Sequence, residues 1–379
     1  MATISIAVPG TPPSRYDVVV EPGALSRLGT LVTAAAPAAR YAVLADERVA
    51  TLYGDAACAA LARAGARVDL VPFAAGEARK TVATWAELCD ALVHLGVGRD
   101  GCVIALGGGV TGDVAGFVAA TYLRGVDFVQ VPTTLLAMVD ASVGGKTGVD
   151  TAAGKNLVGA FHQPRLVVAD PELLASLPEA ELRAGLAEAV KHGVIADAAY
   201  LDRIVRDAGA ILGRDAAALG ALVARSVEIK AEVVAADPRE AGCRATLNFG
   251  HTIGHALEAL TGYALPHGHA VAAGMVAEAA IGEAAGVTAP GTAAAIREAL
   301  DALGVPTAWP QGAEPGAVLA QCRRDKKVRA GRVRYTLVAR PGEAARTADG
   351  AWTHEVPDAV AEAALAPLAR ATPSRLEGM

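Results

Sequence analysis

From Tyr16 to Phe73 short β-rich runs, YDVVV, YAVLAD and RVDLVPF, alternate with Ala/Leu-rich stretches of helical length. A chain that returns repeatedly from helix to extended apolar run builds strands joined by helices in a mostly parallel sheet. Past Pro171 the alternation stops. PELLASLPEAELRAGLAEAVKHGVIAD and a long Ala/Leu/Val segment up to residue 235 read as consecutive helices. The pattern therefore predicts an α/β domain over 1–175 and an α-helical domain over 176–379. At 379 residues, 53% of them hydrophobic, the chain is long enough to bury two cores.

The remaining composition excludes partners rather than naming them. Net charge is −6 with acids and bases interspersed, so no basic stripe offers itself to nucleic acid. The five cysteines have no C-x-x-C spacing and lie mostly in apolar runs, which predicts reduced thiols and no disulfides. No basic region followed by a long apolar segment opens the chain, and later apolar runs are interrupted well short of about 20 residues. A cytoplasmic protein that does not engage a membrane is expected.

Two glycine-rich stretches carry chemistry. The strand CVIAL runs into Gly107-Gly108-Gly109-Val110-Thr111-Gly112-Asp113. Glycines between a buried strand and a helix let backbone approach a ligand and leave N–H groups at the helix start, an arrangement that holds pyrophosphate. The order is not G-x-G-x-x-G, so tight packing is the competing explanation. Asp46, ending the strand YAVLAD, is either a ribose acceptor or a helix N-cap. Residues 126–161 contain the pairs Gly145-Lys146 and Gly154-Lys155, followed by Thr147 and Asn156. A Walker A loop needs glycine where Asp140 stands, so these read as anion-binding loops without the NTPase signature.

Half of the eight histidines fall between Asn248 and Ala270, in NFGHTIGHALEALTGYALPHGHA. His251 and His255 are four apart on a helical apolar pattern, so both leave one face. His267 and His269 follow a Gly-Tyr and a Pro-His-Gly turn. Thr252 replaces the glutamate of H-E-x-x-H, which excludes a metalloprotease helix. A catalytic metal takes about three protein ligands, so a carboxylate is required from elsewhere. Glu188 and Lys191 share a helix face, as an exposed ion pair or as charges turned into a cleft. The run Arg323-Arg324-Asp325-Lys326-Lys327 before the strand RVRYTLVAR is a solvated face or a positive lid.

Together these residues resemble the 3-dehydroquinate synthases of the sugar phosphate cyclase family, across about residues 15 to 345. The resemblance lies in GGGVTGDVAGFVAATYLRG, VPTTLLAMVDASVGGKTGVD, GKNLVGAF, RAGLAEAVKHG, IKAEVVAAD, RATLNFGHTIGHALE, HGHAVAAGM and DKKVRAG, in the family's order. It implies an N-terminal NAD-binding α/β domain, a C-terminal helical metal- and substrate-binding domain, an active site in the cleft between them, and a homodimer. The metal, Zn2+ or Co2+, would be held by Glu188, His251 and His267. NAD-contacting positions correspond to Asp46, Glu77, Lys80, Gly108, Gly109, Val110, Asp113, Thr133, Thr134, Lys155 and Ser176. Catalytic positions correspond to Lys146, Lys191, His255, Asp140 and Asn248. Substrate positions correspond to Asn156, Lys230, Arg244 and Lys326, with Arg124 reaching into the other subunit's site.

The implied reaction converts 3-deoxy-D-arabino-heptulosonate 7-phosphate to 3-dehydroquinate and phosphate by transient oxidation, elimination, reduction and aldol closure. Valiolone-type and inosose-type cyclases, whose substrates lack the carboxylate, are the alternative within the fold, and Arg244 with Asn248 argues against them. A metal- and NAD-dependent polyol dehydrogenase would not need Lys146, Asn156 and Lys326, and a nucleotide-binding module would not need the histidine-carboxylate cluster. Two departures stand out. His269 replaces the family's common glutamate, which would weaken any hydrogen bond that the residue accepts from a ligand histidine. Thr147-Gly148-Val149-Asp150 replaces T-A-V-N.

Overall fold

A computed structural model describes residues 1–7, 15–324 and 333–370, and divides into two compact units. The first comprises Met1–Leu182 and Arg214–Pro238; the second comprises Arg183–Gly213 and the chain from Arg239 onward.

The first unit is built on a seven-stranded sheet in the order Ala2–Ala7, Arg15–Val20, Leu166–Ala169, Asp127–Pro132, Cys102–Gly107, Tyr41–Asp46, Val68–Phe73. All neighbours are parallel except the edge pair Ala2–Ala7 and Arg15–Val20. The runs read from sequence as strands are strands, and central ones such as Cys102–Gly107 are buried along their whole length. Strands covered on both faces carry continuous Val/Ile/Leu runs.

From Tyr41–Asp46 the chain crosses to Val68–Phe73 on one side, and then to Cys102–Gly107 on the other. That reversal makes a topological switch point, where a crevice opens at the carboxyl ends of the strands. Ala45 lies beside Leu106 and Gly107 beside Pro132, so Asp46, Gly108 and Thr133 leave the sheet at the same edge. The helix Gly109–Thr121 starts there.

Residues 146–161 are not loops. Lys146–Thr151 and Gly154–Phe161 pair as an antiparallel hairpin. Gly148 faces Gly159 in that hairpin, and a Cβ on Gly148 would stand 2.7 Å from the Val158 carbonyl. These glycines serve close strand approach, which sequence cannot distinguish from a ligand cradle.

The second unit is mainly helical and includes most of Glu179–Ala196 together with His251–Leu260, His267–Ala284, Thr292–Ala302, Pro315–Cys322 and Asp358–Arg370. His267–Ala284 is made of small residues, and close approach follows: a Cβ on Gly268 would collide with Ala184, and one on Gly274 with Gly250. Pro266-His267-Gly268 is the start of this helix rather than a turn, since proline in extended conformation suits a helix entry. RVRYTLVAR is not one strand. Arg334–Tyr335 pairs with His354–Glu355, and Val338–Arg340 with Glu343–Ala344. Between them Thr336 turns its hydroxyl to the Ala245 carbonyl at 3.0 Å. All five cysteines are free thiols.

Candidate functional site

In the second unit, Glu188 projects from Glu179–Ala196, His251 and His255 from one face of His251–Leu260, and His267 from the first turn of His267–Ala284. Glu188 is fully buried and forms an ion pair with Lys191, itself 1% exposed, so the reading of an exposed pair is wrong. Glu188 Oε1 lies 3.4 Å from His251 Nε2 and 3.7 Å from His267 Nε2. Two bonds of about 2.1 Å meeting at a tetrahedral angle separate their ligand atoms by roughly 3.4 Å, so this donor set suits zinc or a similar divalent ion. The carboxylate demanded by the histidine spacing is present.

Charge at these rings follows from their surroundings. Burial holds the His251 imidazole well below its usual value, against the attraction of Glu188. Burial acts the same way on His267, but hydrogen bonds to Glu188 and Glu258 outweigh it and push the ring up to about 9. His255 stands edge-on to His251, with ring centroids 5.4 Å apart, and 6.1 Å from His267. Burial and the charge of Arg183 hold His269 below its usual value.

Two glutamates at this cluster escaped the sequence reading. Glu258 Oε1 lies 3.3 Å from His267 Nδ1. Its place three residues after His255 and seven after His251 puts it on their helix face, a signal the spacing contained. Glu278 is fully buried in the small-residue helix, and its two oxygens accept from Gly250 N–H at 2.8 Å and Ile253 N–H at 3.0 Å. Gly250, in the left-handed region, has no side chain to cap the helix, so Glu278 caps it from a neighbouring helix. No local pattern announces that. Also in this unit, Arg244 is 1% exposed and Asn248 donates to Glu240 at 2.7 Å.

In the first unit, the glycine turn is extended at Gly108, and no side chain caps the first turn of Gly109–Thr121. A Cβ on Gly108 would press on Thr134 at 3.1 Å, so a larger residue would fill the approach to the free N–H groups. Asp46 Oδ1 caps its own helix through Arg48 and Val49 N–H, while Oδ2 lies 3.4 Å from Thr111 Oγ1. The N-cap reading is correct, and it occupies one oxygen only. Lys80 is buried and bonded to Asp113 at 2.5 Å; Lys155 pairs with Glu77 at 3.1 Å. Burial pushes the Asp113 carboxyl up despite Lys80, and the acids around Lys80 raise its ammonium against its own burial. Ser176 Oγ lies 2.6 Å from the Tyr53 hydroxyl.

The phosphate- and carboxylate-binding candidates divide between the units. Lys230 pairs with Asp140 at 2.5 Å, Lys146 begins its hairpin strand exposed, and Asn156 sits in the left-handed region with its N–H on Asp150 at 2.7 Å. Leu123 and Arg124 are both left-handed, a conformation costing non-glycine residues about 1 kcal/mol each. Arg323 pairs with Asp358, and Lys326 lies outside the described residues.

Residues 70–184 match the family described as 3-dehydroquinate synthase N-terminal, and residues 185–328 that described as 3-dehydroquinate synthase C-terminal. A 3-dehydroquinate synthase of Symbiobacterium thermophilum is 52% identical over 337 residues, covering 88% of this chain and 94% of that protein. Among solved structures, 2-deoxy-scyllo-inosose synthase complexed with carbaglucose-6-phosphate, NAD+ and Co2+ superposes with TM-score 0.87 and 25% identity, over 96% of this chain and 98% of its own. The 2-epi-5-epi-valiolone synthase of Streptomyces hygroscopicus subsp. jinggangensis, with NAD+ and Zn2+ bound, gives 0.84 and 31% over 94% and 97%.

Proposed function

The chain belongs to the 3-dehydroquinate synthase family, and on that premise we propose that it converts 3-deoxy-D-arabino-heptulosonate 7-phosphate to 3-dehydroquinate and phosphate, with NAD and a divalent metal as cofactors. The observation carrying the reading is the buried Glu188 set between two imidazole nitrogens at 3.4 and 3.7 Å. When bound, NAD takes up and returns a hydride, and the cation polarises the hydroxyl being oxidised.

The chain's own residues do the rest. Glu188, His251 and His267 hold the metal, with Lys191 fixing the second oxygen of Glu188 and keeping the first turned to the imidazoles. Asp46, Glu77, Lys80, Gly108, Gly109, Val110, Asp113, Thr133, Thr134, Lys155 and Ser176 bind the dinucleotide, its pyrophosphate on the first-turn N–H groups of Gly109–Thr121. Lys146, Asn156, Lys326 and Arg124 balance the charge of the departing phosphate. Arg244, preorganised by burial, clamps the carboxylate together with Lys230 and Asn248. His255, beside both histidine ligands, relays a proton. The buried Arg244, suited to a carboxylate, favours this substrate over an uncarboxylated sugar phosphate such as the carbaglucose-6-phosphate bound by 2-deoxy-scyllo-inosose synthase.

A homodimer is part of the proposal. The hairpin strand Gly154–Phe161 exposes Leu157 and Phe161 on one side and Val158 on the other, apolar surface that a second copy would cover. The strained backbone at Leu123 and Arg124 fits a residue held out for use in a partner's site. We place the enzyme in the cytoplasm; no helix among the described residues is long and apolar enough to cross a membrane.

The test is phosphate release from the heptulosonate phosphate by metal-loaded protein with NAD, absorbance being followed for NADH. Release without NADH accumulation is expected. Absence of release, or accumulation of NADH in step with turnover, overturns the assignment.

A further inference from the structure

We propose that Glu258 is the positioning carboxylate of the metal centre, fixing His267 in the tautomer and orientation in which Nε2 is the ligand; the inference rests on the assignment of Glu188, His251 and His267 as metal ligands. An ionised carboxylate only accepts hydrogen bonds, so at 3.3 Å from Glu258 Oε1 the His267 Nδ1 must carry the proton. Nε2, on the opposite edge of the ring and 3.7 Å from Glu188 Oε1, is then the nitrogen left to coordinate, a bound cation displacing the proton it carries. His251 follows the same logic with a different acceptor, since its Nδ1 is 3.2 Å from the Phe249 carbonyl oxygen while Nε2 faces Glu188.

The three ligands are not equally held. Glu188 is fully buried and the His251 side chain is 11% exposed, so packing restricts both. His267 is 35% exposed at the very start of its helix, where surrounding atoms constrain the ring least. Packing against the His251 and His255 rings constrains it in part; a directed hydrogen bond adds to that, and Glu258, 6% exposed on the neighbouring helix, is placed to accept it. Such acceptors typically change metal affinity by about 10- to 100-fold.

This also accounts for His269. The carboxylate expected two residues after His267 is not needed to orient that ligand, because the acceptor arrives from the preceding helix.

The experiment compares Glu258→Gln, Glu258→Asp and Glu188→Gln in the full-length protein. Zn2+ affinity is measured by competition with a chromophoric chelator, Co2+ coordination by visible absorption, and stoichiometry by elemental analysis; the metal-stripped proteins are followed by thermal unfolding. Glu258→Gln should bind Zn2+ about 10- to 100-fold more weakly and shift the Co2+ bands, at one ion per chain, with an unfolding temperature matching the stripped parent. Glu258→Asp should recover part of the affinity, and its behaviour decides the matter if the glutamine variant does not fold. Parental affinity and bands in Glu258→Gln overturn the inference, as do two ions per chain falling to one in that variant, which would make Glu258 a ligand. Parental affinity in Glu188→Gln would instead overturn the metal-site assignment beneath it.

Discussion

Lys191 and the two imidazoles divide one carboxylate between its two oxygens, so substitutions around Glu188 separate structure from chemistry. Glu188→Gln keeps the shape but removes the charge; metal is lost and phosphate release falls by roughly three orders of magnitude, several kcal/mol of barrier. Both substitutions leave the buried Lys191 ammonium without its counter-charge and should destabilise by about 3 kcal/mol or more. Glu188→Ala should cost the more because it also removes the oxygen that Lys191 could still bond, and urea unfolding of the two variants against the parent checks it. Arg244 is the corresponding test of substrate identity. Arg244→Ala should lower kcat/KM for the carboxylated substrate by about 30-fold or more, from a loss of about 2 kcal/mol or more, while NAD affinity measured by fluorescence stays put.

Elements decide how firmly those residues are held. Helix His251–Leu260 begins at a glycine and depends on Glu278 for its first N–H groups, so Glu278→Ala leaves donors at Gly250 and Ile253 without their acceptor. A loss of about 2–3 kcal/mol in urea unfolding is expected, with weaker Zn2+ binding because His251 stands in that first turn. Following the hairpin, His162 stacks on Phe128 and donates its ring N–H to the Val126 carbonyl at 2.9 Å; burial holds the ring below its usual value. The unfolded chain therefore takes up a proton that the folded one refuses. Stability is complete above pH 6.5 and declines as pH falls below it, by up to about 1.4 kcal/mol per unit until the folded ring titrates. His162→Gln, compared with the parent by urea titration at pH 7.5 and pH 5, should remove that part of the acid loss.

At the scale of the whole molecule, an assembly of two copies makes a prediction no single chain can. If Arg124 serves the partner's site, mixtures of inactive Arg124→Ala and Glu188→Gln subunits should recover about a quarter of parental phosphate release, since half the dimers are mixed and each holds one intact site. No recovery after confirmed subunit exchange rejects the shared site. Phe161→Asp, on the exposed face of the hairpin, should shift light scattering from dimer to monomer.

Periodicity alone identified the strands Tyr41–Asp46 and Cys102–Gly107, the helices around them and the glycine turn, because each is dictated by neighbours a few residues away. The same local rule put His251 and His255 on one face and asked for a carboxylate. The family resemblance named that carboxylate as Glu188; how Glu258 and Glu278 serve that helix, and that residues 146–161 pair as a hairpin rather than loop around an anion, were decided only by the folded chain. Hydrophobic spacing records which side of an element is buried, whereas hydrogen bonds to a buried carboxylate depend on where a second element arrives, and that distance is not written in either segment.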